Sequence, residues 1–426
     1  MRAANSWLAG VHYGWIVAGL TALTLLVAAG VRSAPGVFLT ALEDDFGWTR
    51  AGISFAASLG LLTYGLIGPA VGFALDRLGA RRLMTGAVLL MAASTAAGTT
   101  VSVLWELTLY WGLLSGVATG MVAAVLGAAI ANRWFVARRG LVIGLFGGAT
   151  SAGQLVFVPA LVWIVDTSGW RVASLVLTAC GLLLVVPIAL FMRDSPAAMG
   201  IEPYGGPLPL PTSDMGASSA ATDVGAGPVR RAMRTPDFWL LCGSFFICGA
   251  TSTGLIGTHF LAFSHDHGIA TATAAGALAL MGAMNFVGTV ASGWLTDRYD
   301  PRYLLSCYYI FRGVSLFLLP AATGTWGLAT FAILFGLDYI ATVPPTAALT
   351  ADLFGRRHVA ILFGWIFCAH QVGAALAAYF GGVARDTLGD YQLAFIAAGT
   401  LAVIGGLMAL RIAPITPMRL AASAAS

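Results

Sequence analysis

Gly72-Phe-Ala-Leu-Asp76-Arg77-Leu-Gly79-Ala-Arg81-Arg82 stands between two long apolar runs, and in the second half of the chain Gly293-Trp-Leu-Thr-Asp297-Arg298-Tyr-Asp300-Pro-Arg302 stands between two more. One Gly-x-x-x-Asp-Arg phrase is a weak signal, since an Asp-Arg pair beside a glycine arises easily by chance. Two copies, each in the loop after the second run of a six-run half, predict a duplicated membrane bundle. Chains built from such repeats hold their solute at the interface between the repeats.

Composition points the same way. Hydrophobic residues make up 58% of the 426 and charged residues 9%, with a mean hydropathy of +0.86. A soluble domain carries about 25% charged residues, so this chain cannot cover a surface facing water, and the lipid bilayer is its expected partner. The five cysteines (Cys180, Cys242, Cys248, Cys307, Cys368) all lie inside apolar runs with no Cys-x-x-Cys or His/Cys cluster, so neither disulfides nor a structural metal is expected. The first apolar run ends at Glu43-Asp44-Asp45 without a cleavage-site pattern and reads as an anchor rather than a signal peptide.

A helix needs roughly 20 apolar residues to cross the hydrocarbon core. Runs near that length fall at 14–40, 51–75, 83–103, 106–131, 140–165 and 171–192, then at 237–264, 272–296, 303–321, 326–351, 358–384 and 391–412. The expected fold is therefore an all-α membrane protein of twelve transmembrane helices in two pseudo-symmetric six-helix halves, 1–193 and 237–426. Residues 194–236, with Pro-Leu-Pro-Leu-Pro and a Gly/Ser/Ala-rich stretch, read as a flexible linker. The chain has no lysine. Its arginines gather in every second loop, at 77–82, 133–139, 193–234, 298–302 and 356–357, against only Arg50, Arg171 and Arg385 in the others. Positive charge marks the cytoplasm. Both termini and the linker are expected there, with the chain in a plasma membrane (for a bacterium, the inner membrane). The formal net charge of +4 follows from that topology and does not suggest nucleic-acid binding.

The pattern Gly-x-x-x-Asp-Arg-x-Gly-x-Arg-Arg in a twelve-run chain resembles the major facilitator superfamily. A narrower resemblance is to its monocarboxylate porters. Trp134-Phe135-Val-Ala-Arg138-Arg139-Gly-Leu141-Val-Ile-Gly144, Gly169-Trp170-Arg171, Gly389-Asp390-Tyr391 and His12-Tyr13-Gly14-Trp15 carry it. The resemblance implies solute transport, and it implies a cytoplasmic gate at Asp76, Arg77, Asp297 and Arg298. Two departures stand out. The acidic residue and arginine that the porters place one turn apart in the eighth span are Asn285 and Thr289 here, and the porters' first-span lysine is missing, with Arg32 close to its place. The Gly-Pro and Gly-Gly pairing by which drug/proton antiporters resemble one another in the fifth span is absent, since the first proline there is Pro159.

An ionisable group in mid-membrane costs free energy unless paired or wetted, so each is a functional candidate. Arg32, beside the helix-loosening Pro35, offers a bidentate fork that stays charged at any ordinary pH. It could bind a carboxylate, or it could snorkel or pair with Glu43. Arg312 and Asp338 lie at similar depth on consecutive spans and read as an ion pair, one that could also open during transport or carry coupling. Asp338 leads into Tyr339-Ile-Ala-Thr342-Val-Pro344-Pro345, a break of the kind that marks transport sites. His259, His370 and Gln371 are polar points on the seventh and eleventh spans, where histidine could hold a proton or simply bond a neighbouring helix. Gln154 and Asn285 complete the substrate-binding candidates, and Glu106 at a span end reads as interfacial. No nucleophile–base pair, metal set or cofactor motif is present, and without lysine no Walker loop can form. The expected function is a secondary active transporter of a small organic anion, a monocarboxylate by resemblance, driven by protons or by exchange and working as a monomer. The alternatives are an efflux carrier for apolar or cationic compounds and a transporter-like receptor.

Overall fold

The computed structural model describes residues 12–206, 227–322, 324–355 and 358–414. Helices account for nearly all of them: α1 Gly14–Phe46, α2 Arg50–Leu66, α3 Gly68–Gly98, α4 Leu104–Trp134, α5 Arg139–Ser168, α6 Trp170–Phe191, α7 Pro236–Asp266, α8 Thr271–Thr296, α9 Pro301–Ala321, α10 Thr325–Phe354, α11 Val359–Leu388 and α12 Gln392–Leu410. Among the described residues ten helices are long and apolar enough to cross a membrane; of the twelve, α2 and α3 are the exceptions. α2 has 17 residues, short of the roughly 20 a crossing needs. The second pass is completed by the start of α3, as far as Gly79. There the backbone turns to φ 80, ψ 162, a region open essentially to glycine alone. The Asp194 carboxylate accepts from Arg81 N–H at 2.8 Å where the helix restarts. α2 falls short by its length, and α3 by the motif's charges at Asp76, Arg77, Arg81 and Arg82.

The first six helices pack as one group (α1 on α5, α3 on α6, α2 on α4) and the last six as another (α9 on α12, α8 on α10, α7 on α11). The groups meet where α2 runs along α11, α5 along α8, and α1 against the second half of α7. Shifting each helix by six places turns the α2–α11 contact into the α8–α5 contact, which is the pseudo-twofold symmetry that the repeated phrase predicts. The repeat extends to its side chains. The Arg77 guanidinium lies over the Phe73 ring and the Arg298 guanidinium over Trp294, each 4.0 Å from the ring centre. Small residues set the closeness of the halves: a Cβ at Gly36 of α1 would stand 2.7 Å from the Gly257 carbonyl of α7. On the outside of the bundle, side chains such as Trp163, Leu183 and Trp326 stand exposed, as lipid-facing positions do when hydrocarbon is the solvent.

The segment expected as a flexible linker carries structure at both of its ends. Tyr204 N–H donates to the Trp134 carbonyl and Tyr204 O accepts from Val136 and Ala137. His12 Nε2 lies 2.9 Å from Glu202 O. Residues 227–232 form a short helix before α7. Aromatic side chains at Trp15, Phe135 and Tyr204 pack together and tie 201–204 to the first half. The low content of core residues in 194–236 hid this single tyrosine anchor. The middle of the linker, 207–226, lies outside the described residues.

Candidate functional site

Two narrow pockets of about 60 Å³ each share Ser33, Gly36, Gln154, Gly257 and Tyr339 and lie between the two halves. The first half contributes Arg32 and Ser33 of α1, Trp111, Ser115 and Thr119 of α4, and Gln154 of α5. The second half contributes Thr253 and Thr258 of α7, Asn285 of α8, and Tyr339 at the break in α10. Of the candidates read from the sequence, Arg32, Gln154, Asn285 and Tyr339 thus come together on one cavity. Arg32 is half-buried, with its guanidinium 5.2 Å from the centre of the Tyr64 ring. Among the described residues no carboxylate pairs with it. Glu43, the alternative partner considered for Arg32, is taken by Arg50 at 2.7 Å.

The break in α10 is held from three sides. Thr325–Asp338 is helical, 339–342 is a turn, and the helix resumes at Val343 just before Pro344 and Pro345. Prolines cannot donate, so the carbonyls ahead of them need other partners. Asn285 Oδ1 accepts from Ile340 N–H and from Thr289 Oγ1, both at 3.2 Å. Ser292 Oγ donates to Ala341 O at 2.6 Å. From behind, Arg312 Nε donates to Asp338 Oδ2 at 2.6 Å, and Nη2 donates to the carbonyls of Asp338 and Tyr339 at 2.8 and 3.2 Å. Its Nη1 faces Cys248 Sγ at 3.0 Å and Thr251 Oγ1 at 3.3 Å on α7. The expected α9–α10 ion pair is present, both side chains are buried, and it also reaches α7.

Three candidates sit away from the cavity. His259 is fully buried, with Nε2 2.7 Å from Ala378 O and Nδ1 3.2 Å from Tyr391 Oη. It joins α7, α11 and the start of α12, so the helix-contact alternative describes its place. His370 lies between the rings of Phe245 and Phe367. Gln371 is buried against Gly65 of α2. Alternation along α11 put them on a face that packs on α7 and α2. Glu106 accepts from Ser102 N–H at 2.8 Å and so sits at the start of its own helix. Of the gate candidates, Arg77, Asp297 and Arg298 are exposed on the arginine-rich end, and the side chain of Asp76 lies outside the described residues.

A cluster that the sequence reading passed over joins the halves at the opposite end. Arg50, at the start of α2, is 3% exposed. Its Nη1 and Nη2 grip both oxygens of Asp266 on α7 at 2.5 and 2.6 Å. Its Nε donates to Glu43 at 2.7 Å and its Nη1 to Tyr391 Oη at 3.1 Å. Arg385 Nε of α11 meets the same Asp266 at 2.7 Å. Asp386 of α11 accepts from Arg50 N–H at 3.2 Å and Ala51 N–H at 2.8 Å, capping the first turn of α2, where free N–H groups and the dipole favour a carboxylate. A Cβ at Gly382 would stand 2.8 Å from Arg50 O, so only glycine lets α11 come this close. Arg50 was legible as one of three arginines on the poorly charged side, but its partners are far apart in sequence and only the fold gathers them.

The description "Major Facilitator Superfamily" matches residues 21–302 and 255–425. Monocarboxylate transporter 13 of Rattus norvegicus is 30% identical over 404 residues, covering 92% of this chain and 87% of that protein. The oxalate:formate antiporter of Oxalobacter formigenes is 26% identical over 386 residues, covering 86% of each. In fold, a bacterial homologue of the human lysosomal transporter Spinster superposes with a TM-score of 0.74 at 14% identity over 94% of this chain and 97% of its own. The D-xylose–proton symporter does so with 0.72 at 16% identity over 95% and 99%. Repeated phrase, paired six-helix halves and a cavity at their interface agree with these matches: the chain belongs to the Major Facilitator Superfamily of transporters.

Proposed function

We propose that the chain is a secondary active transporter of a small organic anion, a monocarboxylate in the first instance, moved by alternating access of the two halves with proton coupling or by exchange. The observation that carries this reading is Arg32, a fixed cation without a carboxylate partner among the described residues, on the cavity between the halves. A lone guanidinium in a confined, poorly hydrated space attracts anions by Coulomb's law and grips a carboxylate through two N–H groups. The rest of the lining is hydroxyl, amide and aromatic, able to bond the remainder of a small polar solute. That two relatives are named for monocarboxylates, oxalate and formate supports the class. An efflux carrier for cations would want a cavity carboxylate, and the lining residues include none. The arginine-rich loops support a cytoplasmic position for their end, which in this reading turns the Arg50 cluster outward, and one chain holds the whole cavity.

Uptake of labelled formate, oxalate, lactate and pyruvate into proteoliposomes, with and without a pH gradient, tests the class. Arg32→Gln is expected to insert and fold while weakening uptake of the transported carboxylate by about tenfold or more, the 1.4 kcal/mol or greater of one charge-assisted bond. Arg32→Lys should recover only part, because an ammonium is a point charge without the fork. Unchanged affinity and rate in Arg32→Gln would remove the anion site from Arg32.

A further inference from the structure

The buried Arg312–Asp338 pair is satisfied unevenly. Arg312 donates to six acceptors: Asp338 Oδ2, the carbonyls of Asp338, Tyr339 and Cys248, the Cys248 sulfur and the Thr251 hydroxyl. Asp338 is 1% exposed, and its second oxygen, Oδ1, has no hydrogen-bond partner among the described residues. An ionised carboxylate offers about four lone-pair sites, and leaving them unmet in mid-membrane is costly. If the carboxylate is neutralised, Arg312 keeps five acceptors, two of them carbonyls at the end of the first piece of α10, where the helix dipole favours a cation. If Arg312 is lost, Asp338 keeps none. The pair is therefore built to tolerate a neutral Asp338 and a permanently charged Arg312.

We propose that Asp338 Oδ1 is the site of a coupling proton that crosses the membrane with the substrate, a step that rests on the transporter reading above. The proton comes from water on one side, binds Oδ1, and leaves Asp338 a neutral acid. The Arg312 Nε–H bond to Oδ2 loses the acceptor's charge and keeps the donor's, so the ion pair weakens and no other bond breaks. On the other side the acid returns the proton to water and the ion pair re-forms.

The link to the substrate is the guanidinium itself, which holds the carbonyls of Asp338 and of the cavity-lining Tyr339 together. Weakening the pair loosens the break that positions Tyr339 opposite Arg32. The titratable and charged groups around Asp338 are Arg312, Tyr308 and Tyr309 on α9, Cys248 on α7 with the His370 ring of α11 beside its sulfur, Tyr339 on α10 itself, and Arg32 across the cavity. Those whose bonds are described are engaged elsewhere: the Tyr309 hydroxyl donates to Ser244 O and the Cys248 sulfur lies 3.2 Å from Thr342 Oγ1. A guanidinium so close to Asp338 also repels a metal cation, which favours a proton over sodium.

The test compares wild-type protein and Asp338→Asn in proteoliposomes, using whichever of labelled formate, oxalate, lactate or pyruvate the wild type moves. Wild type should accumulate it under a pH gradient and not under a sodium gradient. Asp338→Asn, which mimics the protonated acid, should keep counterflow and lose gradient-driven accumulation. Accumulation by Asp338→Asn at the wild-type level overturns the proposal, as does loss of counterflow and accumulation together in a folded variant, which would make Asp338 structural. Wild-type exchange indifferent to a pH gradient overturns it while leaving the transporter reading intact. If Asp338→Asn does not fold, Arg312→Gln combined with Asp338→Asn, which removes both charges, is read by the same criteria. If the wild type moves none of the four carboxylates, the substrate reading fails and an infrared acid titration decides. A protonated-carboxyl band present in wild type and missing from the neutral variant supports the site, and its absence from wild type overturns it.

Discussion

Arg312→Leu should lose most of its folded protein, and adding Asp338→Leu should bring it back. Both side chains are buried, and Arg312 is the only described partner of the Asp338 carboxylate. Removing one member of a buried pair strands the other charge and costs about 3–5 kcal/mol, while replacing both with apolar groups is often neutral. Against a total stability on the order of 5–15 kcal/mol, the single change is enough to deplete the native state. The loss should be one-sided. Asp338→Leu alone leaves Arg312 on the carbonyls of Asp338, Tyr339 and Cys248 with Thr251 beside them, so it should cost clearly less than Arg312→Leu. The yield of monodisperse protein in detergent and its unfolding temperature read the three variants together. A double variant no better folded than Arg312→Leu would mean that the two charges are not coupled. Equal losses in the two single variants would mean that the extra acceptors around Arg312 carry no weight.

The sequence made the architecture legible because its strongest signals are repeated or one-dimensional: twelve apolar runs, alternating arginine loops and a doubled Gly-x-x-x-Asp-Arg phrase. The ionisable residues in apolar runs were equally visible, and Arg32, Arg312 and Asp338 stand out wherever the helices are placed. Helix face was harder to read. In a helix that is apolar all round, no periodicity tells whether a polar residue meets the cavity or a neighbouring helix. Asn285 and Gln154 turned to the cavity, while His370 turned to a pair of phenylalanines and His259 to a backbone carbonyl. Asn285 also shows a role no spacing reveals, since its acceptor is the N–H of Ile340 in a break on another helix. The Arg50 cluster was the least legible. Glu43, Arg50, Asp266, Arg385 and Asp386 sit at helix ends, where charges are ordinary, and only the pairing of α2 with α11 and of α1 with α7 collects them.

That cluster sets the last expectation, which is that Arg50→Gln opens the end of the cavity opposite the arginine-rich loops, the outward end in the proposed topology. In the structure one guanidinium bonds a carboxylate from each half, and the α2 N-terminus is capped by Asp386 from the other half. Any movement that separates α2 from α11 and α7 at this end must first break the bonds to Asp266, Tyr391 and Asp386. Two guanidinium nitrogens of a 3% exposed arginine bond across the halves, so screening by water is weak. A charge-assisted bond of this kind contributes about 1.5–3 kcal/mol, and losing even one such contribution of about 3 kcal/mol moves a two-state balance by roughly a hundredfold. Asp266 keeps Arg385 as a partner in the variant, so the protein should still fold. The measurement is the rate at which Ser33→Cys, on the cavity wall, is modified by a membrane-impermeant thiol reagent added from outside, read at that site by mass spectrometry. Arg50→Gln should speed it strongly, and Arg50→Lys should fall between, since an ammonium cannot grip both oxygens of Asp266. Carrier turnover should fall at the same time, because a transporter held open on one side completes its cycle slowly. If labelling at Ser33→Cys is unchanged while the variant is folded, the cluster fixes helix ends and closes nothing. Then the closure at this end must come from the glycine contacts of Gly36 with Gly257 and Gly382 with Arg50 O, which hold the same helices together without a charge.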